Sequence, residues 1–176
     1  MTIIKPAMKR IFLIGYMGCG KTTAGKRLSE KYNLNFIDLD YYIEQRYLKT
    51  IAQLFGENGE NGFRKIEQDL LKEVAEIENV IISTGGGTAC FFDNIELMNR
   101  KGETVYLKAS AAELASYLSS PLAKNRPLLS GKTDDELLNF ISETLEKREP
   151  FYSKAKHTIN ARDMSDELFD KLLLQG

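Results

Sequence analysis

Short apolar runs alternate with longer amphipathic stretches along the chain. Arg10-Ile-Phe-Leu-Ile14, Asn35-Phe-Ile-Asp-Leu39, Asn79-Val-Ile-Ile-Ser83, Thr104-Val-Tyr-Leu-Lys108 and His157-Thr-Ile-Asn160 read as five strands. Most are apolar or β-branched throughout, which suits strands covered on both faces of a parallel sheet. Between them, Ile66, Leu70, Leu71, Val74 and Ile77 recur at three- and four-residue steps and so share one helix face. Ser110-Ala-Ala-Glu113 and Thr133-Asp-Asp-Glu136 have the capping-box form that starts a helix. Ser165, followed by Asp166 and Glu167, opens a last amphipathic helix carrying Leu168, Leu172 and Leu173. Strands alternating with helices predict βαβ units: an α/β fold with a five-stranded parallel sheet and helices on both faces. Two polar, Gly- or Pro-bearing stretches, Gly56 to Gly62 and Ser119 to Thr133, read as loops between helices. At least one of them is expected to be a mobile cover over a site.

Composition narrows the class. A chain of 176 residues with 43% hydrophobic and 28% charged positions is expected to form one globular domain over residues 1–176. Lys+Arg 24 against Asp+Glu 25 leaves a net charge of -1, without the basic excess that a nucleic-acid partner demands. No apolar run approaches the roughly 20 residues of a membrane-spanning helix, and residues 1–9 hold no apolar signal-peptide core. Cys19 and Cys90 lack metal-ligand spacing and His157 stands alone, so both thiols are expected to be reduced in a cytoplasmic protein.

The strongest chemical signal is Gly15-Tyr-Met-Gly-Cys-Gly20-Lys21-Thr22, which matches G-x-x-x-x-G-K-[ST] between a predicted strand and a predicted helix. Such a loop turns consecutive N–H groups onto phosphate oxygens, and the following helix adds its positive dipole end. Residues 15–22 therefore form a P-loop for a nucleoside triphosphate. Gly15, Gly18, Cys19, Gly20, Lys21, Thr22 and Thr23 are the ATP-binding candidates. Lys21 is placed to reach the phosphates and Thr22 to offer its hydroxyl to Mg²⁺.

Other polar clusters sit at predicted strand ends, where open α/β sheets bind ligands. Asp38 and Asp40, two positions apart, are expected to project from one side of an extended strand end, one near Mg²⁺ and one near a substrate hydroxyl. Arg64 and Glu67 share a face at the start of a long helix. Gly85, Gly86 and Gly87 imply close backbone approach to a ligand. Arg126, beside Pro127 in the second polar stretch, can close over phosphates, and Arg148 ends a helix before the last strand.

Taken in order, Gly15–Thr22, Asp38-Leu-Asp40, Phe63-Arg64-x-x-Glu67, Gly85-Gly-Gly87, Arg126-Pro-Leu-Leu129 and Arg148-x-x-x-Tyr152 resemble the shikimate kinase family across nearly the whole chain. The resemblance implies a P-loop NTPase fold of the nucleoside-monophosphate-kinase kind. Its substrate-binding region would span about residues 40–70 and its lid about residues 119–133. It also implies transfer of the γ-phosphate of ATP to the 3-hydroxyl of shikimate, in aromatic amino acid biosynthesis. On that reading Lys21, Asp40 and Arg126 would be catalytic, Asp40 as the base and Arg126 from the lid. Thr22 would bind Mg²⁺, with Asp38 holding it through water. Arg64 and Arg148 would clamp the shikimate carboxylate, with Glu67 orienting Arg64. Gly85, Gly86 and Gly87 would offer backbone, and Phe55 and Phe63 an apolar wall.

One departure concerns adenine. Many family members begin the lid with an Arg, and Leu114-Ala-Ser-Tyr-Leu-Ser-Ser120 has none. Tyr117 and Arg162 are the candidates instead. Shikimate and ATP are the expected partners of a chain read as a monomer. Two other readings exist: a kinase of another hydroxy acid such as gluconate, and a nucleotide switch. The switch lacks an Asn-Lys-x-Asp motif for guanine.

Overall fold

The structure is a computed structural model that describes residues 9–121 and 131–174. Five strands form one sheet: β1 (Arg10–Ile14), β2 (Asn35–Asp38), β3 (Val80–Ser83), β4 (Glu103–Lys108) and β5 (His157–Asn160). Their order is β2-β3-β1-β4-β5, and all four pairings are parallel. Along β1 the side chains of Phe12 and Ile14 join one hydrophobic cluster while Ile11 and Leu13 join another. That alternation is why Ile11 to Ile14 of the central strand are all apolar: both faces are covered.

The covering helices are α1 (Lys21–Tyr32), α2 (Leu39–Tyr47), α3 (Ile51–Val74), α4 (Asn94–Lys101), α5 (Ala111–Leu118), α6 (Asp134–Tyr152) and α7 (Glu167–Leu174). The face holding Phe12 packs Leu39, Ile43, Leu54, Phe63 and Leu71, contributed by α2 and α3. The opposite face packs Leu28, Leu114, Ile141 and Phe169 from α1, α5, α6 and α7. The boxes at Ser110 and Thr133 cap α5 and α6 as expected, each hydroxyl accepting an N–H three residues on while that residue's Glu returns the bond.

Three expectations are corrected. Strand β2 ends at Asp38 and the chain turns directly into α2, so Asp38 and Asp40 do not share an extended strand end. Asp38 is the N-cap, accepting from the Tyr41 N–H, and Asp40 lies in the first helical turn. The stretch 56–62 is not a loop but part of α3, broken by a kink at Gly59 (φ 67, ψ 179), a backbone that favours glycine. A Thr50–Gln53 capping box starts α3 and burial of Leu54 and Phe63 on either side of the kink holds it, outweighing the weak helix propensity of three glycines. Arg64 and Glu67 therefore follow the kink and do not open the helix. The proposed lid over 119–133, together with Arg126, falls largely outside the described residues.

Candidate active site

The P-loop leaves β1 and enters α1 as expected. Gly20 (φ 96) occupies the N-cap with no side-chain cap, which leaves the first N–H groups of α1 facing a cleft. Lys21 Nζ donates to the carbonyl oxygens of Gly15 (2.7 Å) and Tyr16 (2.9 Å), so the ammonium is held within the loop. A cavity of about 150 Å³ opens here, lined by Gly18, Lys21, Thr22, Asp38, Asp40 and Gly85 among others. The P-loop, the Asp pair and the glycine loop thus meet in one place.

Thr22 Oγ1 donates to Asp38 Oδ2 at 2.7 Å, with Ser83 Oγ at 3.5 Å. Asp40 stands deeper. Burial first, then the neighbouring Glu67 and Asp38 carboxylates, pushes its carboxyl up to about 6, against the opposing pull of Lys21 and Arg64. A carboxyl poised there changes charge near neutral pH, as a proton acceptor needs to.

The glycine loop after β3 is the hinge of the arrangement. A Cβ on Gly85 would lie 2.9 Å from Asp40 Oδ1, one on Gly86 3.2 Å from Arg148 Nη1, and one on Gly87 2.5 Å from Arg64 Nη2. Three side chains from α2, α3 and α6 therefore converge on three consecutive residues that have no side chains of their own. Arg64 is buried, and its Nη1 donates to Glu67 Oε2 at 2.8 Å. Glu67, 1% exposed, accepts on its other oxygen from Thr88 Oγ1 at 2.6 Å. The Arg64 guanidinium lies over the ring of Phe91 at 4.1 Å, and Phe63 and Phe55, stacked on each other at 4.2 Å, stand farther off. Arg148 lies over Tyr16. Tyr152, one turn on, donates to the carbonyl of Gly86.

Two atoms in this cluster are buried without a protein partner: Arg64 Nε and Arg148 Nη1. Buried guanidinium donors are costly to leave unmade, and an anion between them satisfies both.

A separate cavity of about 360 Å³ includes Gly18, Cys19, Glu113, Tyr117, Ala161 and Arg162 in its lining. Tyr117 and Arg162, the two adenine candidates, thus share one space beside the P-loop. Arg162 Nε donates to Glu113 Oε1 at 2.7 Å from a largely exposed position. The P-loop, Asp38, Asp40, Arg64, Arg148 and the glycine loop meet at one cleft, Arg162 lines the separate cavity beside it, and Arg126 lies outside the described residues. Three residues that the structure adds had no role in the sequence reading: Phe91, Thr88 and Tyr152. Tyr152 was visible only as the end of a motif. The other two carried no local signal, because their partners Arg64 and Glu67 lie more than twenty positions away.

The shikimate kinase family model matches residues 17–175. The chain is similar to a shikimate kinase of Phocaeicola vulgatus, 57% identical over 96% of this chain and 94% of that one. It is similar also to one of Parabacteroides distasonis, 58% identical over 91% and 92%. Among solved structures, the shikimate kinase of Bacteroides thetaiotaomicron superposes with a TM-score of 0.85 at 52% identity, covering 96% of each chain. That of Acinetobacter baumannii, solved in complex with shikimate, gives 0.82 at 32% identity over 97% and 96%. A gluconokinase from Sinorhizobium meliloti (TM-score 0.61, 17% identity, 97% and 92% covered) shares the fold alone. The chain belongs to the shikimate kinase family.

Proposed function

We propose that the chain transfers the γ-phosphoryl group of ATP to the 3-hydroxyl of shikimate, giving shikimate 3-phosphate and ADP, with the residues above in the following roles. The observation that carries this reading is the pair of unpartnered buried guanidinium atoms, Arg64 Nε and Arg148 Nη1, set against neighbouring glycines beside Asp40. They ask for a small anion bearing a hydroxyl, and shikimate is a carboxylate on a hydroxylated ring.

ATP lies along the P-loop, its phosphates on main-chain N–H groups and Lys21, its adenine in the space between Tyr117 and Arg162. Shikimate places its carboxylate between Arg64 and Arg148, its ring against Phe55 and Phe63, and its hydroxyls toward Asp40 and the backbone of Gly85, Gly86 and Gly87. Asp40 accepts the hydroxyl proton as the oxygen bonds to phosphorus and the bond to the ADP oxygen breaks. Lys21 offsets charge on the leaving phosphate. Arg126 takes the lid role on the strength of Asn125-Arg126-Pro127 and the family resemblance.

The Thr22 hydroxyl, the Asp38 carboxylate and nearby Ser83 are hard oxygen groups that suit Mg²⁺, which keeps few protein ligands and several waters. Among the described residues, no group of three or more His, Cys, Asp or Glu is set to cage a softer metal. Mg²⁺ held by Thr22, with Asp38 behind its water, would neutralise charge on the β- and γ-phosphates. No described helix is long and apolar enough to cross a membrane, and Cys19 and Cys90 are free, which supports a cytoplasmic location.

The test is ADP release measured with shikimate, with gluconate and with no acceptor. Stimulation by shikimate alone is expected. Release that does not respond to shikimate, or responds equally to gluconate, overturns the assignment.

A further inference from the structure

Arg64 is held by two different means. Its edge is fixed by the Glu67 carboxylate at Nη1. Its face lies over the Phe91 ring at 4.1 Å, a separation at which the ring's negative face attracts the cation. The Glu67 contact is its one side-chain hydrogen bond among the described residues, the exposed Glu60 carboxylate lying 3.8 Å from Nη2, and one such bond leaves the guanidinium plane able to swing. A ring against its face removes that freedom. Edge and face together fix the plane, and Nε is left buried without a protein partner.

The backbone around Phe91 is shaped to deliver that ring. Phe91 ends the short 3₁₀ turn Thr88–Cys90 in an extended conformation, and the next residue, Phe92, takes a left-handed one (φ 51). A left-handed bulky residue is strained and persists only where its surroundings determine it, a pattern that clusters at functional sites. The bend sets the two phenylalanines apart: the Phe92 side chain is 57% exposed, and the Phe91 ring is turned onto the guanidinium. No other ring stands as near to Arg64 among the described residues, the next being Phe63 at 5.4 Å.

We propose that Phe91 is a positioning residue for shikimate recognition, fixing the plane of Arg64 so that it meets the substrate carboxylate squarely. This rests on the reading of Arg64 as a carboxylate clamp. Phe91 is not part of the lining of the P-loop cavity, so its effect is expected on one substrate and not on the other.

The experiment compares Phe91→Leu, Phe91→Met and Phe91→Tyr with Arg64→Ala and the double variant Phe91→Leu/Arg64→Ala, measuring kcat and both KM values. Phe91→Leu and Phe91→Met are expected to raise the shikimate KM about threefold to tenfold, with kcat and the ATP KM unchanged. Phe91→Tyr, which keeps the ring, restores the wild-type KM. In the Arg64→Ala background Phe91→Leu has no further effect. An unchanged shikimate KM in both aliphatic variants, while Arg64→Ala raises it, overturns the role of Phe91 and leaves the clamp standing. Equal losses in kcat and both KM values, or a Tyr variant no better than Leu, overturn it too. If Arg64→Ala itself leaves the shikimate KM unchanged, the clamp fails and the positioning role with it.

Discussion

Between Gly87 and Arg64 there is no room for a single carbon: a Cβ on residue 87 would sit 2.5 Å from Arg64 Nη2 and 2.9 Å from Cζ. The backbone of Gly87 (φ -94, ψ -13) is one that alanine adopts freely, so Gly87→Ala acts through space and not through strain. The guanidinium has to move, and its bond to Glu67 and its contact with the Phe91 ring have to give with it. The expected outcome is a shikimate KM raised on the order of tenfold or more, with the ATP KM near wild type. Steady-state kinetics with each substrate varied in turn checks it.

Asp40 sets the pH dependence. Its carboxyl is pushed up to about 6 by burial and by Glu67 and Asp38, and in the proposed mechanism its ionised form is the proton acceptor. Activity at limiting shikimate should therefore rise with pH through an apparent pKa near 6 and level off above it. In Asp40→Asn turnover should fall by at least a hundredfold and that acidic limb should vanish, while ATP binding persists. A variant that turns over like the wild type removes Asp40 as the base.

The same displacement has a cost in stability. An acid whose pKa is raised by folding opposes folding wherever it is ionised in the unfolded chain and has to ionise in the native one. The penalty is absent below the unfolded value of 3.8, grows up to about pH 6 and is full above that. At 1.36 kcal/mol per unit it reaches at most about 3 kcal/mol. Asp40→Asn should therefore be more stable than wild type at pH 7 and lose that advantage at pH 3.5. Denaturant melts at both pH values measure it.

Parts of this were open to reading from residue pattern, for identifiable reasons. Strand β1 was legible because both its faces are buried, so Ile11 to Ile14 are all apolar. The P-loop was legible because its chemistry is local and its spacing strict. The Asp pair was read as a candidate site feature, and both residues line the P-loop cavity, but their geometry was misread. Leu39 and Ile43, both fully buried and four apart, are the helical spacing that would have corrected it. The glycines at 56, 59 and 62 looked like a loop because propensity was weighed without the burial of Leu54 and Phe63. Phe91 was not legible at all. Its meaning lies in a contact with Arg64 that only the packed fold creates.

Tyr152 explains why the last motif ends in a phenol. Its hydroxyl donates to the Gly86 carbonyl, and its ring packs on Tyr106 at 4.9 Å. Burial holds its pKa well above the usual phenol range, so it stays a donor at any working pH. Tyr152→Phe keeps the ring and leaves a carbonyl unpaired in the loop proposed to face shikimate. A stability loss of about 1 kcal/mol is expected, with a shikimate KM raised severalfold and the ATP KM unmoved. Thermal melts and kinetics check the two effects separately.

The glycines of α3 separate helix propensity from backbone need. Gly56 is exposed, lies in regular helix, and would have nothing within 4 Å of an added Cβ. Alanine there should stabilise the protein by about 0.5–1 kcal/mol, raising the melting midpoint by about 1–4 °C for a chain of this length. Gly59 also has open space around it, but its φ of 67 is left-handed, so alanine is strained whatever the room. Gly59→Ala should cost about 1–2 kcal/mol. It should also disturb the kink between the stacked Phe55 and Phe63, the proposed wall for shikimate, raising the shikimate KM where Gly56→Ala does not. Calorimetry is expected to place the melting points in the order Gly56→Ala, wild type, Gly59→Ala. Equal shifts in the two variants would mean that the break at Gly59 is not a backbone requirement of this helix.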